Sequence, residues 1–357
     1  MATIRDVARA SNVSIATVSR VFNNSPLVSE ETRQRVVAAA ASLGYWPNGI
    51  ARSLITNRTH TLGALLPDLH GEFFSEVIHG IDLASRKKGF HLLVSRSSSD
   101  ARELASVLRS MRGRVDGLLV MTPDLDAAAT LEQVAGNLPT VLLNPEARIP
   151  GCDSVSVANV EGATAVVRHL IGLGHRRIAT ITGPERNIDA RQRREGWRAA
   201  LREAGIDPDA ALEVRGDFTE PSGYEAALEL LAREPRPTAV FVANDYMAIG
   251  ALGALQDTGV RVPEDLAIAG FDDIPMARYL TPPLTTVHVD MLELGQQAVH
   301  LLLDPDRAAR AGAAEHRVLP STLVVRSSCG GAPGDHGTGR ARWGRRTPAA
   351  RLERPGP

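Results

Sequence analysis

From Thr61 to about Ser328 the chain alternates short apolar runs with longer amphipathic stretches, and this alternation restricts the fold more than any other feature. The runs are TLGALL, FHLLVS, DGLLVM, PTVLL, DSVSV, RIATIT, TAVFVA and LAIAG. A short apolar run bounded by helical patterns reads as a strand buried on both faces, which calls for covering helices above and below. The strand–helix–strand order therefore predicts parallel sheets wrapped on both sides. The strands are too many for one modest sheet, and the stretch is long enough for two doubly wound lobes. No short-period repeat or low-complexity tract interrupts it.

Residues 3–45 follow a different pattern, that of three short helices. Thr3 with Asp6 three residues on is a capping-box pattern, and the helix it opens sets Ile4, Val7 and Ala8 on one side before breaking near Ser11-Asn12. Ser14 caps a second helix, SIATVSRVF, whose Val18, Val21 and Phe22 recur at helical spacing and leave Ile15, Ala16, Ser19 and Arg20 outward. Ser29 followed by Glu30 and Glu31 opens a third, with Val36, Ala40 and Leu43 on one stripe and Gly44 at its end. Residues 46–60 form a linker in which Pro47-Asn48 can start a helix of about two turns, too short to hold in water without a partner surface. The expected organisation is a helix-turn-helix domain at 1–45, a linker helix at 46–60, a two-lobed α/β body at 61–328 and a disordered basic tail at 329–357.

The formal net charge of -1 conceals an asymmetry. Residues 1–58 carry seven Arg against three acids, residues 329–357 six Arg against two, and the remainder 27 basic against 36 acidic residues. Both ends are thus at +4 and the body at -9, so any affinity for phosphate belongs to the N-terminal segment. The Arg-rich tail lacks the aliphatic content to order itself and could add non-specific nucleic-acid contacts or none. Cys152 and Cys329 support neither a disulfide framework nor a metal site. No apolar stretch follows the early Arg5 and Asp6, so no signal peptide is expected, and no run approaches the length of a membrane span. A cytoplasmic protein without cofactor or metal is the expectation.

A helix that enters the major groove needs small or hydrogen-bonding side chains near its N-terminus. The second helix offers them. Ile15 and Ala16 suit a thymine methyl, Arg20 suits guanine O6 and N7, and Ser14, Thr17 and Ser19 suit phosphate oxygens. The alternative is an ordinary surface helix with Arg and Ser on its wet face.

The stretch TIRDVARASNVSIATVSRVFNNSPLVSEETRQRVVAAAASLGYWPNGIARSL resembles the N-terminus of the lactose-repressor family, without a gap. The resemblance implies a homodimer with two recognition helices in adjacent half-sites of a near-palindromic double-stranded operator. It also implies that Leu54 is wedged into the minor groove at the operator centre, where the unstacking it costs is recovered through the extra contacts of a bent duplex. Ile50, Leu54 and Ile55 could instead be the apolar face of a linker packed on the body. The candidate DNA-contacting set is Thr3, Ser14, Ile15, Ala16, Thr17, Ser19, Arg20, Asn48, Ala51, Arg52 and Leu54. Gly49 and Ile55 stand where many relatives place larger polar or cationic residues, which shifts the weight to Arg52 and Arg58.

The body is similar to the same family through PDLHGEFFSEVIHG, GHRRIATITGP, DARQRREGWRAAL, RGDFTEPSGYEAAL, VFVANDYMAIGAL, GFDDI and PPLTTV, up to about Arg326. This resemblance extends to periplasmic sugar-binding proteins and implies one small-molecule effector held between two lobes. On residue type alone, Phe73, Phe74 and Phe218 lie near element ends and could face a ligand ring or simply pack. Arg193, preferred over Arg191 and Arg194 because its spacing to Gly196-Trp197 matches the family's ligand-contacting arginine, has the fork that suits hydroxyls, a carboxylate or a nucleobase edge. Asp189 lies one turn earlier on the same face. Asn244 and Asp272 follow strands, where ligands of parallel sheets bind, with Asp245 the expected helix cap. Asp68 is a further contact or a hinge residue. A sugar-like effector is expected first, a purine or nucleoside second, with its sign on DNA binding open.

An enzyme is not expected, because no P-loop, G-x-S-x-G or H-E-x-x-H motif and no metal-spaced histidines occur. A pure solute-binding protein would share the body but has no use for residues 1–58.

Overall fold

The first helices form where their caps predict. The structure, a computed structural model, describes residues 2–22, 25–45, 58–96, 100–121, 130–131, 138–307 and 313–331. Helices α1 (Ile4–Ala10), α2 (Ile15–Phe22) and α3 (Glu30–Ser42) pack around Val7, Ala8, Val18, Val21, Val36 and Ala40. Asp6 accepts from the Thr3 amide at 2.9 Å, Ser14 from the Thr17 amide at 3.0 Å and Ser29 from the Thr32 amide at 3.4 Å. So small a core needs help from polar ties, and α3 supplies two. Arg33 donates to the carbonyls of Val21 and Ser25 at 3.2 and 3.0 Å, and Arg35 donates to Ser11 O at 3.1 Å. These close the carbonyl ends of α2 and α1. Two of the seven N-terminal arginines thus spend part of their donors on the fold while keeping their charge. Leu43, expected on the buried stripe, is the C-cap of α3 and is 40% exposed.

The chain divides into two compact units. Unit 1 comprises Met1–Ala158, Glu185–Arg191 and Asp290–Pro320, and unit 2 comprises Asn159–Pro184, Gln192–Val289 and Ser321–Pro357. Unit 1 holds a six-stranded parallel sheet in the order β11-β5-β4-β3-β1-β2, formed by β1 (Thr61–Leu66), β2 (His91–Arg96), β3 (Gly117–Met121), β4 (Thr140–Leu143), β5 (Asp153–Val157) and β11 (His316–Leu319). β3 and β4 are buried throughout, as their unbroken apolar runs require. β2 carries a similar run but lies at the edge with alternating exposure, because edge position is set by pairing partners and not by local sequence. Helix α4 (Glu72–Lys87) packs closely on α10 (Met291–Leu302), and a Cβ on Gly80 would stand 2.1 Å from Leu292 O.

Unit 2 holds a four-stranded parallel sheet, β7-β6-β8-β9, formed by β6 (Ile178–Thr182), β7 (Glu213–Arg215), β8 (Ala239–Val242) and β9 (Ala267–Ala269). Its helices are α6 (Asn159–Gly172), α8 (Glu220–Leu231), α9 (Asp245–Asp257) and most of α7 (Ile188–Glu203), which begins in unit 1. The doubly wound lobes expected from the alternation are both present. One addition is a two-stranded antiparallel pair of β10 (Thr286–Val289) and β12 (Ser321–Val324), whose segments TVHV and STLV mix polar with apolar residues and so form no unbroken apolar run. The folded chain also runs past 328. Ser328 Oγ donates to Ile268 O at 2.7 Å and accepts from the Thr285 amide at 2.8 Å, and Cys329 is buried, while residues 332–357 lie outside the described residues.

Helices α8 and α9 meet through reciprocal glycines. A Cβ on Gly250 would fall 1.8 Å from Glu220 O, and one on Gly223 2.0 Å from Met247 O. Both obstacles are backbone, so neither can step aside. Gly250→Ala is expected to cost about 1–3 kcal/mol by overpacking, read as a lower denaturation midpoint with an unchanged m-value. An unchanged midpoint would show that the helices can separate freely.

Candidate DNA-reading helix and effector site

Helix α2 turns Val18 and Val21 into the core, which fixes what its other face presents. Ser14, Ile15, Ala16 and Arg20 are exposed, with Ile15 at 46%, and Thr17 and Ser19 are half-buried. The Ser14 and Thr17 hydroxyls lie 2.9 Å apart, so the first turn is braced before any ligand arrives. Thr3 donates its hydroxyl to Asp6 at 2.7 Å, which leaves the oxygen free only as an acceptor. Asn48, Ala51, Arg52 and Leu54 lie outside the described residues. Asp116 was missed by sequence reading. It receives the Thr59 amide and hydroxyl at 2.7 and 2.8 Å and the His60 amide at 2.9 Å, tying the downstream end of the linker to the start of β3.

In open parallel sheets, ligands bind beyond the strand C-termini where the winding direction reverses. In unit 2 the reversal falls between β6 and β8. Arg193, on α7 after β6, is only 4% exposed and reaches that place. Its Nη1 donates to Ala243 O at 2.6 Å, its Nε to Asn159 Oδ1 at 2.9 Å, and its guanidinium carbon lies 3.9 Å from the Phe271 ring centroid. Nη2 stands 2.9 Å from Asp272 Oδ1 and forms a buried ion pair with it. The neighbouring arginines are engaged elsewhere: Arg191 pairs with Glu146, and Arg194 with Glu213 at 2.9 Å.

Asn244 and Phe218 join the same group, because Asn244 Nδ2 donates to Phe218 O at 3.1 Å. Asn244, not Asp245, is the cap of α9, accepting from the Met247 amide at 3.0 Å. Asp245 is fully buried instead, accepting from the Ile274 amide at 3.0 Å and the Thr286 hydroxyl at 2.6 Å. Burial, and then the charge of Asp272, push its carboxyl well above the usual range, which favours the protonated form. Phe218, Asp272 and Asp273 all have left-handed backbone, with φ of 75, 108 and 56°.

In unit 1 the reversal falls between β1 and β3. Asp68, just past β1, is exposed and accepts from the Leu69 and His70 amides at 2.7 and 3.2 Å. Phe73 and Phe74 pack edge to face at 5.2 Å on the first turn of α4, half-buried. Asp189 accepts from Asn144 Nδ2 at 3.3 Å. Asn144 was also missed. It is buried at the end of β4 with φ 45°, and its Oδ1 accepts from the Val157 amide at 3.1 Å. The Asn-Pro dipeptide closing an apolar run was its sequence signal. Asn159 gave none. Among the described residues, no group of three or more His, Cys, Asp or Glu could hold a metal ion, and no helix is long and apolar enough to cross a membrane.

A three-helix domain with an exposed polar helix face, followed in the chain by doubly wound sheets with polar strand ends, is the arrangement of a ligand-responsive, DNA-binding transcription regulator. Comparison with known proteins agrees. Residues 3–48 match the family described as bacterial regulatory proteins, lacI family, and residues 167–329 match the periplasmic binding protein-like domain. The chain is 39% identical to the ribose operon repressor of Escherichia coli (strain K12), over 90% of this chain and 95% of that one. It is 39% identical to the HTH-type transcriptional repressor PurR of Erwinia tasmaniensis, over 93% and 98%. A crystal structure of the Lac repressor dimer bound to operator and the anti-inducer ONPF superposes with TM-score 0.84 at 33% identity, over 92% and 99%. The chain belongs to the lacI family of bacterial regulatory proteins.

Arg20→Ala is expected to cost about 1–3 kcal/mol on the best operator and relax one base position, measured by binding to a single-substitution operator series at one fixed salt concentration. Equal loss on every sequence would mean that Arg20 contacts phosphate only.

Proposed function

We propose that this chain is a homodimeric repressor whose affinity for a near-palindromic operator is set by a neutral polyhydroxylated effector, a pentose of the ribose kind. The observation that supports the ligand class is the Arg193–Asp272 pair. The only strongly buried cation among the described residues is already balanced by a buried carboxylate at 2.9 Å. A cation already balanced disfavours an anionic ligand, because an anion would have to displace Asp272 or share Arg193 with it. Guanidinium donors beside a carboxylate acceptor match adjacent hydroxyls, each of which donates and accepts. A solved lacI-family regulator from Enterococcus faecium with bound ribose, 30% identical over 75% of this chain with TM-score 0.67, agrees with that class. A purine is the second reading, favoured by the equal identity to the Erwinia repressor and by the Phe73–Phe74 pair, whose faces suit a planar base.

The DNA half of the proposal assigns Ile15, Ala16 and Arg20 to base edges, Thr3, Ser14, Thr17, Ser19, Asn48, Ala51 and Arg52 to the backbone surface, and Leu54 to a wedge at the operator centre. Leu54→Ala should then reduce operator affinity and operator bending together, bending being read by gel mobility of permuted fragments. Unchanged bending would remove the wedge. Binding of effector changes operator affinity only if the two conformations bind it unequally, and operator must change effector affinity by the same factor.

Calorimetric titration of the full-length protein tests the ligand class. D-ribose is expected to bind, ribose 5-phosphate at least about tenfold more weakly, and Arg193→Ala to abolish D-ribose binding while operator binding without ligand persists. Tighter binding of the phosphate would overturn the neutral-ligand reading, and binding of a free purine base alone would establish the second one.

A further inference from the structure

Asp272 and Asp273 are consecutive carboxylates in left-handed backbone, at φ 108 and 56°. Such a turn persists in L-residues only when its surroundings over-determine it. Three sets of contacts do so, all within unit 2. The Asp272 amide donates to Val287 O at 2.9 Å, and the Val289 amide donates to Asp272 O at 3.3 Å, bridging the turn to β10. Asp245 holds the turn from below through the Ile274 amide at 3.0 Å and the Thr286 hydroxyl at 2.6 Å. From the side, Asp273 Oδ1 receives Arg326 Nη2 at 2.6 Å, and Oδ2 lies 3.1 Å from His288 Nδ1. Arg326 is itself fixed, its Nη1 donating to Leu284 O at 2.7 Å.

Three carboxyl groups thus crowd one turn, and each has its own partner. Asp272 faces Arg193, Asp273 faces Arg326 and His288, and Asp245 faces an amide and a hydroxyl. Burial alone pushes the Asp273 carboxyl up, but the His288 hydrogen bond and the Arg326 charge outweigh it and hold it below the usual range. The Arg326 ion pair thus favours the charged form of Asp273, next in sequence to Asp272. Without its own cation it would compete for Arg193 or repel Asp272 from it.

We propose that Asp273, Arg326 and His288 form a positioning clamp that sorts these charges and fixes the Asp272 carboxylate beside Arg193 for effector binding. None of the three touches the effector; they act through Asp272. The clamp rests on the reading of Asp272 as an effector contact given under the proposed function.

The test uses the full-length protein and its Arg326→Ala, Arg326→Lys, Asp272→Asn and Arg326→Ala/Asp272→Asn variants, with D-ribose as the calorimetric probe and ligand-free crystal structures as a second readout. Arg326→Ala is expected to weaken D-ribose binding about tenfold, to leave ligand-free operator affinity unchanged, and to move the Asp272 carboxylate off Arg193; Arg326→Lys recovers part of the loss. In the Asp272→Asn background the Arg326 change should weaken binding no further, because the clamp acts only through that carboxylate. Additive losses, or wild-type affinity in Arg326→Ala, would overturn the clamp. Should wild-type protein bind no D-ribose, the pentose reading fails, and the clamp is decided by the ligand-free crystals: an Asp272 carboxylate still beside Arg193 in Arg326→Ala refutes it. His288→Phe, which removes one partner of Asp273 and leaves the Arg326 ion pair, gives a smaller displacement in the same direction if Arg326→Ala does not fold, and an unmoved Asp272 carboxylate there refutes the clamp.

Discussion

A guanidinium removed from water must be met on every side, and the Arg193 environment in unit 2 is organised around that requirement. Desolvation of a charge is offset only when an opposite charge and hydrogen-bond acceptors replace the lost water. Arg193 has Asp272 as counterion, Asn159 and the Ala243 carbonyl as acceptors, and the Phe271 face beneath it. They come from three separate places in the sequence, Phe271 and Asp272 being neighbours, so the ion is buried only when β8, α6 and the turn after β9 are all in position. Strain in the Asp272 turn follows from the same demand, since an extended backbone would carry the carboxylate elsewhere.

The parallel sheets explain why these groups meet. Strands running the same way deliver their C-termini to one edge, and helices leaving that edge start there with unpaired amides. Asn244 illustrates the economy of the position: one oxygen caps α9 while the amide nitrogen holds the carbonyl of strained Phe218. Unit 1 repeats the arrangement with Asn144, which joins the end of β4 to β5 through Val157 and to the first turn of α7 through Asp189. Close glycine contacts between neighbouring helices, Gly80 against Leu292 in unit 1 and Gly223 and Gly250 between α8 and α9 in unit 2, let those helices pack at short range.

The N-terminal domain depends on a different balance. Six small buried side chains are a slender core, so arginine ties from α3 to the ends of α1 and α2 share the task of holding the helices together. This divides the basic residues by function. Half-buried Arg33 and exposed Arg35 each donate to main-chain carbonyls, and Arg20 stands on the exposed side of α2. Asp116 then fixes where the linker joins the body, through three bonds to Thr59 and His60.

Period and caps made much of this legible in advance. Fully buried strands such as β3 and β4, the three N-terminal helices with their Ser14 and Ser29 caps, and the outward face of α2 all follow from local pattern, because each depends on neighbours within a few residues. The choice of Arg193 over Arg191 and Arg194 came from a family spacing; that Arg193 is buried against Ala243 and Asp272 while the other two pair with glutamates was not legible there. Other features were decided only by the fold. The edge place of β2, the β10–β12 pair, the exchange of capping role between Asp245 and Asn244, and the partners of Asp273 all depend on residues far apart in sequence. The sequence alone determined what each segment could become, since propensity, periodicity and capping act locally. Only the tertiary structure decided which charge faces which, because a buried ion selects its partner by distance in space and not by spacing along the chain.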